Sequence, residues 1–235
     1  MKHLTFFVFF LLGLNLYNSQ SKMSFDTLSK YNYLQLEDKF YNYKDKNKIK
    51  ESNSVAQYYL NKAKIEKRED QIAEGYVMIQ YNKNLPTALK YIDSLEILKK
   101  NSQEDRYPAR IYILKGLLYY KYDNEKRALN NFVNALKYAK EKNNKRQIGI
   151  AEIQIAFLNN YIGKHKEAAK TLQYYYDHPD LLGNQYIDYI RINLADIYLD
   201  IKENNKAIQL IKKKKFSSFD FSSFCLVSIL YSEMS

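Results

Sequence analysis

Alanine recurs at a nearly constant interval along most of this chain of 235 residues, and that periodicity restricts the fold more than any other feature. Intervals of 32, 40, 40 and 39 residues separate Ala56, Ala88, Ala128, Ala168 and Ala207. A larger apolar residue follows each alanine four positions later, and an offset of four places both side chains on one helical face. Such self-similarity at a fixed period predicts an array of repeated units.

A second repeated position lies about twelve residues before four of these alanines. It holds Gly116, Ala156 and Ala195, and in one unit the larger Tyr76. Two helices approach to about 8 Å only where the residues at their crossing are small. Each unit is therefore predicted to be a pair of packed helices. The predicted repeat-packing residues are Tyr76, Ala88, Gly116, Ala128, Phe132, Ala135, Ala156, Ala168, Leu172, Ala195 and Ala207.

The composition favours helices throughout. Six Gly and three Pro leave few turn-forming residues for a protein of many strands, whereas good helix formers such as Leu, Lys, Ala and Glu are plentiful. Pro86, Pro108 and either Asp123 or Asn124 are suitably placed to begin helices. We expect an all-α chain with helix pairs at 33–45 with 53–66, 69–82 with 86–99, 107–122 with 124–140, 146–162 with 165–177, and 184–201 with 204–214.

The spacing of these markers resembles that of the tetratricopeptide repeats. In that family a small residue is followed by Ala twelve positions later, by a large apolar residue sixteen later and by Ala nineteen later. The match is complete at Gly116, Ala128, Phe132 and Ala135. The next unit departs at its last position, where Tyr175 replaces Ala. The resemblance covers about residues 33–214 and implies a right-handed α-solenoid of about five antiparallel helix pairs, with units longer than the usual 34 residues.

The resemblance also implies a binding groove, because the first helices of successive tetratricopeptide units line the concave face. Carried over to this chain, it assigns to the groove Gln80, Tyr81, Arg110, Tyr120, Lys121, Ile153, Phe157, Asn160, Tyr161 and Tyr189. Tyrosine, of which the chain has 24, combines a large apolar body with a polar tip and suits peptide recognition. We expect Gln80 and Asn160 to hold a peptide backbone, and Arg110 or Lys121 to meet a carboxylate. The alternative is that the tyrosines only complete the packing between helices.

The N-terminus has the pattern of a secretory signal peptide. Lys2 and His3 precede an apolar run at 4–16, and polar residues follow it. The run is shorter than the roughly 20 residues that a helix needs to span a bilayer. We therefore expect a cleaved signal peptide at 1–19, a linker at 20–32, and export to the periplasm or out of the cell. A permanent anchor is the alternative.

A signal peptide followed by long, Tyr- and Lys-rich repeats is similar to the exported sensor half of Bacteroidetes-type regulators. In those proteins the repeats are followed by a membrane-spanning helix and an AraC-type helix-turn-helix domain, and neither pattern occurs in these 235 residues. The repeat spacing stops directly after the lysine run at 212–215. Three interpretations of the tail at 215–235 stay open: a frameshift in an adenine-rich run of codons, an atypical C-terminal cap, or a membrane-touching segment.

No motif in the sequence indicates catalysis. It contains no phosphate-binding glycine loop, no HExxH pair and no GxSxG turn, and His165 and His178 alone do not specify a metal site. We expect a non-catalytic scaffold, without metal or cofactor, that binds a peptide or protein segment. The alternative is the truncated sensor half of a membrane-bound transcriptional regulator. The net charge of +11 is spread along the helices and does not favour nucleic acid as the partner.

Overall fold

The computed structural model describes residues 25–183 and 186–212, which form helices joined by short turns and contain no β-strand. The predicted signal at 1–19 and tail at 215–235 lie outside the described residues. The helices are α1 (Phe25–Ser29), α2 (Tyr33–Asp45), α3 (Ile49–Ile65), α4 (Glu69–Gln80), α5 (Leu85–Leu98), α6 (Ala109–Lys121), α7 (Glu125–Glu141), α8 (Lys145–Tyr161), α9 (His165–Asp177), α10 (Ile187–Asp200) and α11 (Asn204–Lys212), with a 3-10 turn at Pro179–Leu181. The prediction of an all-α chain is confirmed.

The helices pack in series within two compact units, and the division between the units falls after Leu98. In the N-terminal unit, α2 packs on α3, α3 on α4 and α4 on α5. In the C-terminal unit each helix from α6 to α10 packs on the next, and α6 also touches α8. Consecutive helices that pack along their length across a short turn run antiparallel, so each unit is a series of helical hairpins.

The N-terminal unit has a continuous core that begins earlier than the sequence predicts. Helix α1 lies within the segment 20–32 that we expect to be a linker, and its Leu28 is fully buried beside Leu36 and Phe40 of α2. Helix α3 begins at Ile49, four residues before the predicted start. Its buried face contributes Ala56 and Tyr59 to the same core.

Small residues allow neighbouring helices to approach closely. All the predicted repeat-packing residues are buried except Tyr76, which is half-buried with its ring 6.2 Å from that of Tyr91. The neighbouring Gly75 is the residue that faces α3: a Cβ placed there would lie 2.9 Å from Cδ1 of Leu60. In α6, a Cβ on Gly116 would overlap the ring of Phe132 in α7.

Asparagine caps several helix starts. The side chain of Asn32 accepts a hydrogen bond from the Gln35 backbone N–H and the Gln35 side chain accepts one from Asn32, a reciprocal capping box at the start of α2. Asn124 caps α7 and Asn144 caps α8 in the same position. Of the two residues expected to cap α7, Asn124 does so, while Asp123 belongs to the preceding turn with a φ of 52°.

Six helix ends share one closing geometry. The second residue after the helix takes a positive φ at Asn47, Lys67, Asp123, Asn143, Gly163 and Lys202. The next backbone N–H then bonds to a carbonyl five residues earlier, as from Lys164 to Asn159 at 2.8 Å and from Glu203 to Tyr198 at 2.7 Å. This pattern is the Schellman motif, and it satisfies carbonyls that a helix end leaves unpaired.

Candidate functional site

Five of the ten predicted groove residues surround one cavity in the C-terminal unit. The cavity has a volume of about 180 Å³ and lies across α6, α8 and α10, which we call the α6/α8/α10 groove. Its lining contains Tyr120, Phe157, Asn160, Tyr161 and Tyr189 from the predicted set. The other lining residues are Leu117, Phe132, Gln154, Leu158 and Asn193. None of the ten lining residues carries a formal charge.

Helical periodicity explains why these side chains meet. Leu117 and Tyr120 are three residues apart on α6, and Tyr189 and Asn193 are four apart on α10, so each pair lies on one helical face. On α8 the residues at 154, 157 and 161 follow the same spacing. The chain reverses twice between α6 and α8, and twice more between α8 and α10. The three helices that present these faces therefore run parallel.

The aromatic rings of the groove form two edge-to-face pairs. The rings of Tyr120 and Tyr161 have centroids 6.0 Å apart with planes at 88°, and those of Phe157 and Tyr189 are 5.0 Å apart at 72°. Edge-to-face packing is favourable for aromatic rings and fixes their orientation. Three of these residues nevertheless keep large accessible areas, with Tyr120, Tyr161 and Tyr189 being 38%, 59% and 52% exposed. The groove therefore offers oriented aromatic surface to a ligand.

The amide side chains of the groove offer both a donor and an acceptor. The Asn160 Oδ1 lies 2.6 Å from Nδ1 of His165, a contact that requires the hydrogen on Nδ1, and the Asn160 NH₂ group keeps its donor capacity. The Asn193 Nδ2 donates to the Tyr189 carbonyl at 2.7 Å, so its Oδ1 keeps its acceptor capacity. A peptide unit presents one carbonyl and one N–H. The Asn160 NH₂ group can donate to that carbonyl, and the Asn193 Oδ1 can accept from that N–H.

Carboxylates lie near the groove at two places. Burial raises the pKa of the Tyr120 hydroxyl, and Tyr161, Glu125 and Asp123 shift it in the same direction. On α10, removal of the carboxylate from water raises the pKa of Asp196, and the charge of Asp200 raises it further. The Asp200 Oδ2 also lies 3.8 Å from Nδ1 of His165.

The remaining predicted groove residues lie elsewhere. Ile153 is 1% exposed and belongs to the core of the C-terminal unit, because it sits one position, or about 100° of helical rotation, before the groove-facing Gln154. Arg110 is half-buried near the start of α6, and Lys121 is exposed at its end, with its Nζ 5.6 Å from the ring centre of Tyr122. Neither lines the cavity.

Gln80 and Tyr81 belong to the N-terminal unit. Gln80 is buried at 7% exposure, so its amide is not presented at the surface. The ring of Tyr81 packs edge-on against the ring of Phe40 of α2, with the ring centres 6.1 Å apart. The ammonium group of Lys44, also on α2, lies 4.6 Å from the centre of the Tyr81 ring. These contacts place Tyr81 in the packing of α2 against the end of α4.

The sequence prediction missed four lining residues for an identifiable reason. The positions that the tetratricopeptide resemblance assigns to the concave face do not include Leu117, Gln154, Leu158 and Asn193. They do lie three or four residues from residues that were assigned to it, on the same helices. Extending each predicted position by one helical turn is the signal that identifies all four.

The two histidines of the described chain make local contacts. His165 bonds to Asn160, and Nδ1 of His178 lies 2.8 Å from the Tyr174 carbonyl at the end of α9. Within residues 25–183 and 186–212 there is no group of three or more His, Cys, Asp or Glu side chains placed to bind a metal ion. No helix in the same ranges is long and apolar enough to span a bilayer.

Comparison of the chain with protein-family models, with curated proteins and with solved structures gave no match.

Proposed function

We propose that this chain is a non-catalytic, tetratricopeptide-type α-solenoid that binds an extended peptide or protein segment in the α6/α8/α10 groove. One observation carries the proposal. Three helices, each the first of a pair, bring exposed aromatic side chains to a single cavity. Aromatic residues concentrated in a pocket are typical of the positions that dominate the energy of protein interfaces.

Binding in such a groove combines apolar contact with capture of the backbone. The rings of Tyr120, Tyr161 and Tyr189 lose water-exposed area when a segment covers them, which is favourable. Asn160 and Asn193 supply the donor and acceptor that fix the direction of the segment. Because the rings and amides are held by the helices before a ligand arrives, little conformational entropy is lost on binding.

The test replaces one ring and one amide of the groove. The full chain is screened against an array of heptapeptides of random sequence with acetylated N-termini and amidated C-termini. We expect Tyr161→Ala combined with Asn160→Ala to weaken the selected peptides by about tenfold or more, since truncating central interface residues costs about 2 kcal/mol or more. Circular dichroism is expected to show unchanged helicity.

A matched control separates the groove from the rest of the surface. Tyr174→Ala with Asn130→Ala removes one exposed Tyr and one exposed Asn that do not line the cavity, and is expected to leave affinity unchanged. If the groove variant binds as tightly as the wild type, the segment binds elsewhere and the proposed site is wrong.

We also propose that the protein is exported, and we keep the truncated sensor half of a regulator as an alternative function. Both are supported by the sequence at the two ends of the chain. The signal-like pattern at 1–19 supports export, and the mass of the mature protein tests it through the expected cleavage after Ser19.

The loss of repeat spacing after the lysine run at 212–215 supports the alternative of a truncated sensor half. Sequencing the gene beyond these codons tests that alternative. A second frame with repeat-spaced Ala, an apolar segment of about 20 residues and a helix-turn-helix pattern supports it.

A further inference from the structure

The groove lies next to carboxylates on α10 and on the turn after α6. On α10, Asp196 and Asp200 continue the helical face of Tyr189 and Asn193, three and seven residues beyond Asn193. A chain of contacts joins Asp200 to the cavity wall. The carboxylate is 3.8 Å from His165 Nδ1, which is 2.6 Å from Oδ1 of the lining residue Asn160. Negative charge therefore lies one side chain away from the uncharged lining.

The opposite wall carries the same sign of charge. The shift in the pKa of Tyr120 includes contributions from Glu125 and Asp123, and that of Asp196 includes one from Asp200. No Lys or Arg is among the causes of either shift.

Two lysines near this end of the groove contact side chains that do not line the cavity. The Lys121 ammonium lies 5.6 Å from the ring centre of Tyr122, and that of Lys164 lies 4.0 Å from Glu167. Elsewhere on the chain several tyrosine faces are already covered by a cation, as Tyr31 is by Lys39 at 4.2 Å. Within the described residues, no Lys or Arg lies over the rings of Tyr120 or Tyr161.

We infer that the segment bound in the α6/α8/α10 groove is basic, with a Lys or Arg side chain lying against the rings of Tyr120 and Tyr161 and its charge toward Asp196 and Asp200. This inference rests on the proposed function, because it names the class of segment that the same groove binds. A cation over an aromatic face is attracted by the negative face of the ring. The carboxylates beside the groove add to that attraction without requiring a buried ion pair.

The geometry also discriminates against the opposite ligand. A segment ending in a carboxylate, or carrying Asp or Glu at this position, would bring a like charge toward Asp196 and Asp200 and toward the negative ring faces. Like charges placed together across an interface are strongly unfavourable and suppress wrong partners. An acidic segment is therefore expected to bind least well of the charge classes.

The experiment uses the full chain and the same array of capped random heptapeptides, so that neither peptide end supplies the charge. We expect selected peptides to share a Lys or Arg at one fixed position. Asp196→Asn combined with Asp200→Asn is expected to weaken them by about fivefold, the range of solvent-accessible charge pairs. The control, Asp105→Asn with Glu141→Gln, removes two exposed carboxylates elsewhere in the C-terminal unit and is expected to have no effect.

The outcomes of this experiment distinguish failure of the inference from failure of the proposed function. Selected peptides that lose affinity with Tyr161→Ala and Asn160→Ala but carry no shared basic residue overturn the inference and leave the proposed function standing. Basic peptides that bind the Asp196→Asn, Asp200→Asn protein as tightly as the wild type also overturn it, since their charge is then recognised elsewhere. If no peptide is selected, or if the selected peptides are indifferent to Tyr161→Ala and Asn160→Ala, the proposed function itself fails.

Discussion

Gly116 shows how one residue sets the distance between two helices. An added Cβ at this position would overlap the ring of Phe132, which is itself 1% exposed and enclosed by the core. The ring has little room to move, because protein interiors are packed at the density of organic crystals. The smallest side chain is therefore needed where α6 crosses α7.

We expect Gly116→Ala to destabilise the protein by about 1–3 kcal/mol, although Ala is the better helix former. Urea unfolding followed by circular dichroism measures the change. Adding Phe132→Leu provides the control: it removes the atoms that the new methyl group meets, so the double variant should be more stable than the sum of the two single changes predicts. Simple additivity would mean that Gly116 does not pack on Phe132.

At the candidate site, the sequence predicts some of the lining residues and misses others. The tetratricopeptide resemblance assigns Tyr120, Phe157 and Tyr161 to the groove, and all three line the cavity. It placed Ile153 there as well, although the groove-facing residue is Gln154. A difference of one residue is about 100° around a helix. The interval of about 40 residues between Ala88, Ala128, Ala168 and Ala207 is also longer than the 34 residues of the family from which the positions were carried over. The pattern of apolar residues does not fix the rotation of a helix about its own axis to within one residue.

At the scale of the helix, the periodicity of the sequence is a good guide to where helices form but a poor guide to how they end. The observed bounds of α2, α6, α8 and α9 lie within about two residues of the predicted ones. The common Schellman ending could not be read from the sequence, because only Gly163 among the six positive-φ positions is the residue that this motif normally selects. At Lys67 and Lys202 a side chain with a Cβ occupies the left-handed region against its intrinsic preference.

This mismatch predicts a stabilising substitution. Lys202 has a φ of 63° and is exposed, so Lys202→Gly removes backbone strain without removing a buried contact. The strain of about 1–2 kcal/mol exceeds the extra entropy that Gly gives the unfolded chain, and we expect a net gain of about 0.5–1 kcal/mol in the free energy of unfolding.

The control for this prediction is a lysine in the middle of a helix. Lys170→Gly replaces an exposed residue of α9, where the backbone is helical and Gly costs about 1 kcal/mol relative to a good helix former. Thermal unfolding should therefore shift upward for Lys202→Gly and downward for Lys170→Gly. A downward shift for both would show that the end of α10 is not held in the Schellman geometry.

At the scale of the whole molecule, buried tyrosines paired with carboxylates recur in both compact units. In the N-terminal unit the Tyr59 hydroxyl donates to Glu37 at 2.6 Å, and in the C-terminal unit the Tyr175 hydroxyl donates to Glu152 at 2.6 Å. Burial raises the pKa of both hydroxyls, and the carboxylate that accepts each hydrogen bond raises it further. Burial and the bond to Glu66 likewise raise the pKa of Tyr33 to about 12.

These shifts make the fold sensitive to alkali. A tyrosine whose pKa is raised above the ordinary value of 10.0 binds its proton more tightly in the folded protein than in the unfolded chain. Its contribution to stability is therefore complete below pH 10 and is lost as the pH rises from 10 through the raised pKa. We expect the free energy of unfolding to fall steeply above pH 10, as measured by urea titrations at a series of pH values.

Replacing the two buried hydroxyls isolates their share of that fall, because lysines also titrate in this range in wild type and variant alike. At neutral pH, Tyr59→Phe with Tyr175→Phe is expected to lower the free energy of unfolding by about 1–2 kcal/mol for each lost hydrogen bond to a carboxylate. Above pH 10 the variant should lose stability more slowly than the wild type, since neither ring can ionise. Tyr161→Phe, which alters an exposed ring, serves as the control and should leave the slope unchanged. Equal slopes in all three proteins would mean that the ionisation of Tyr59 and Tyr175 is not coupled to folding.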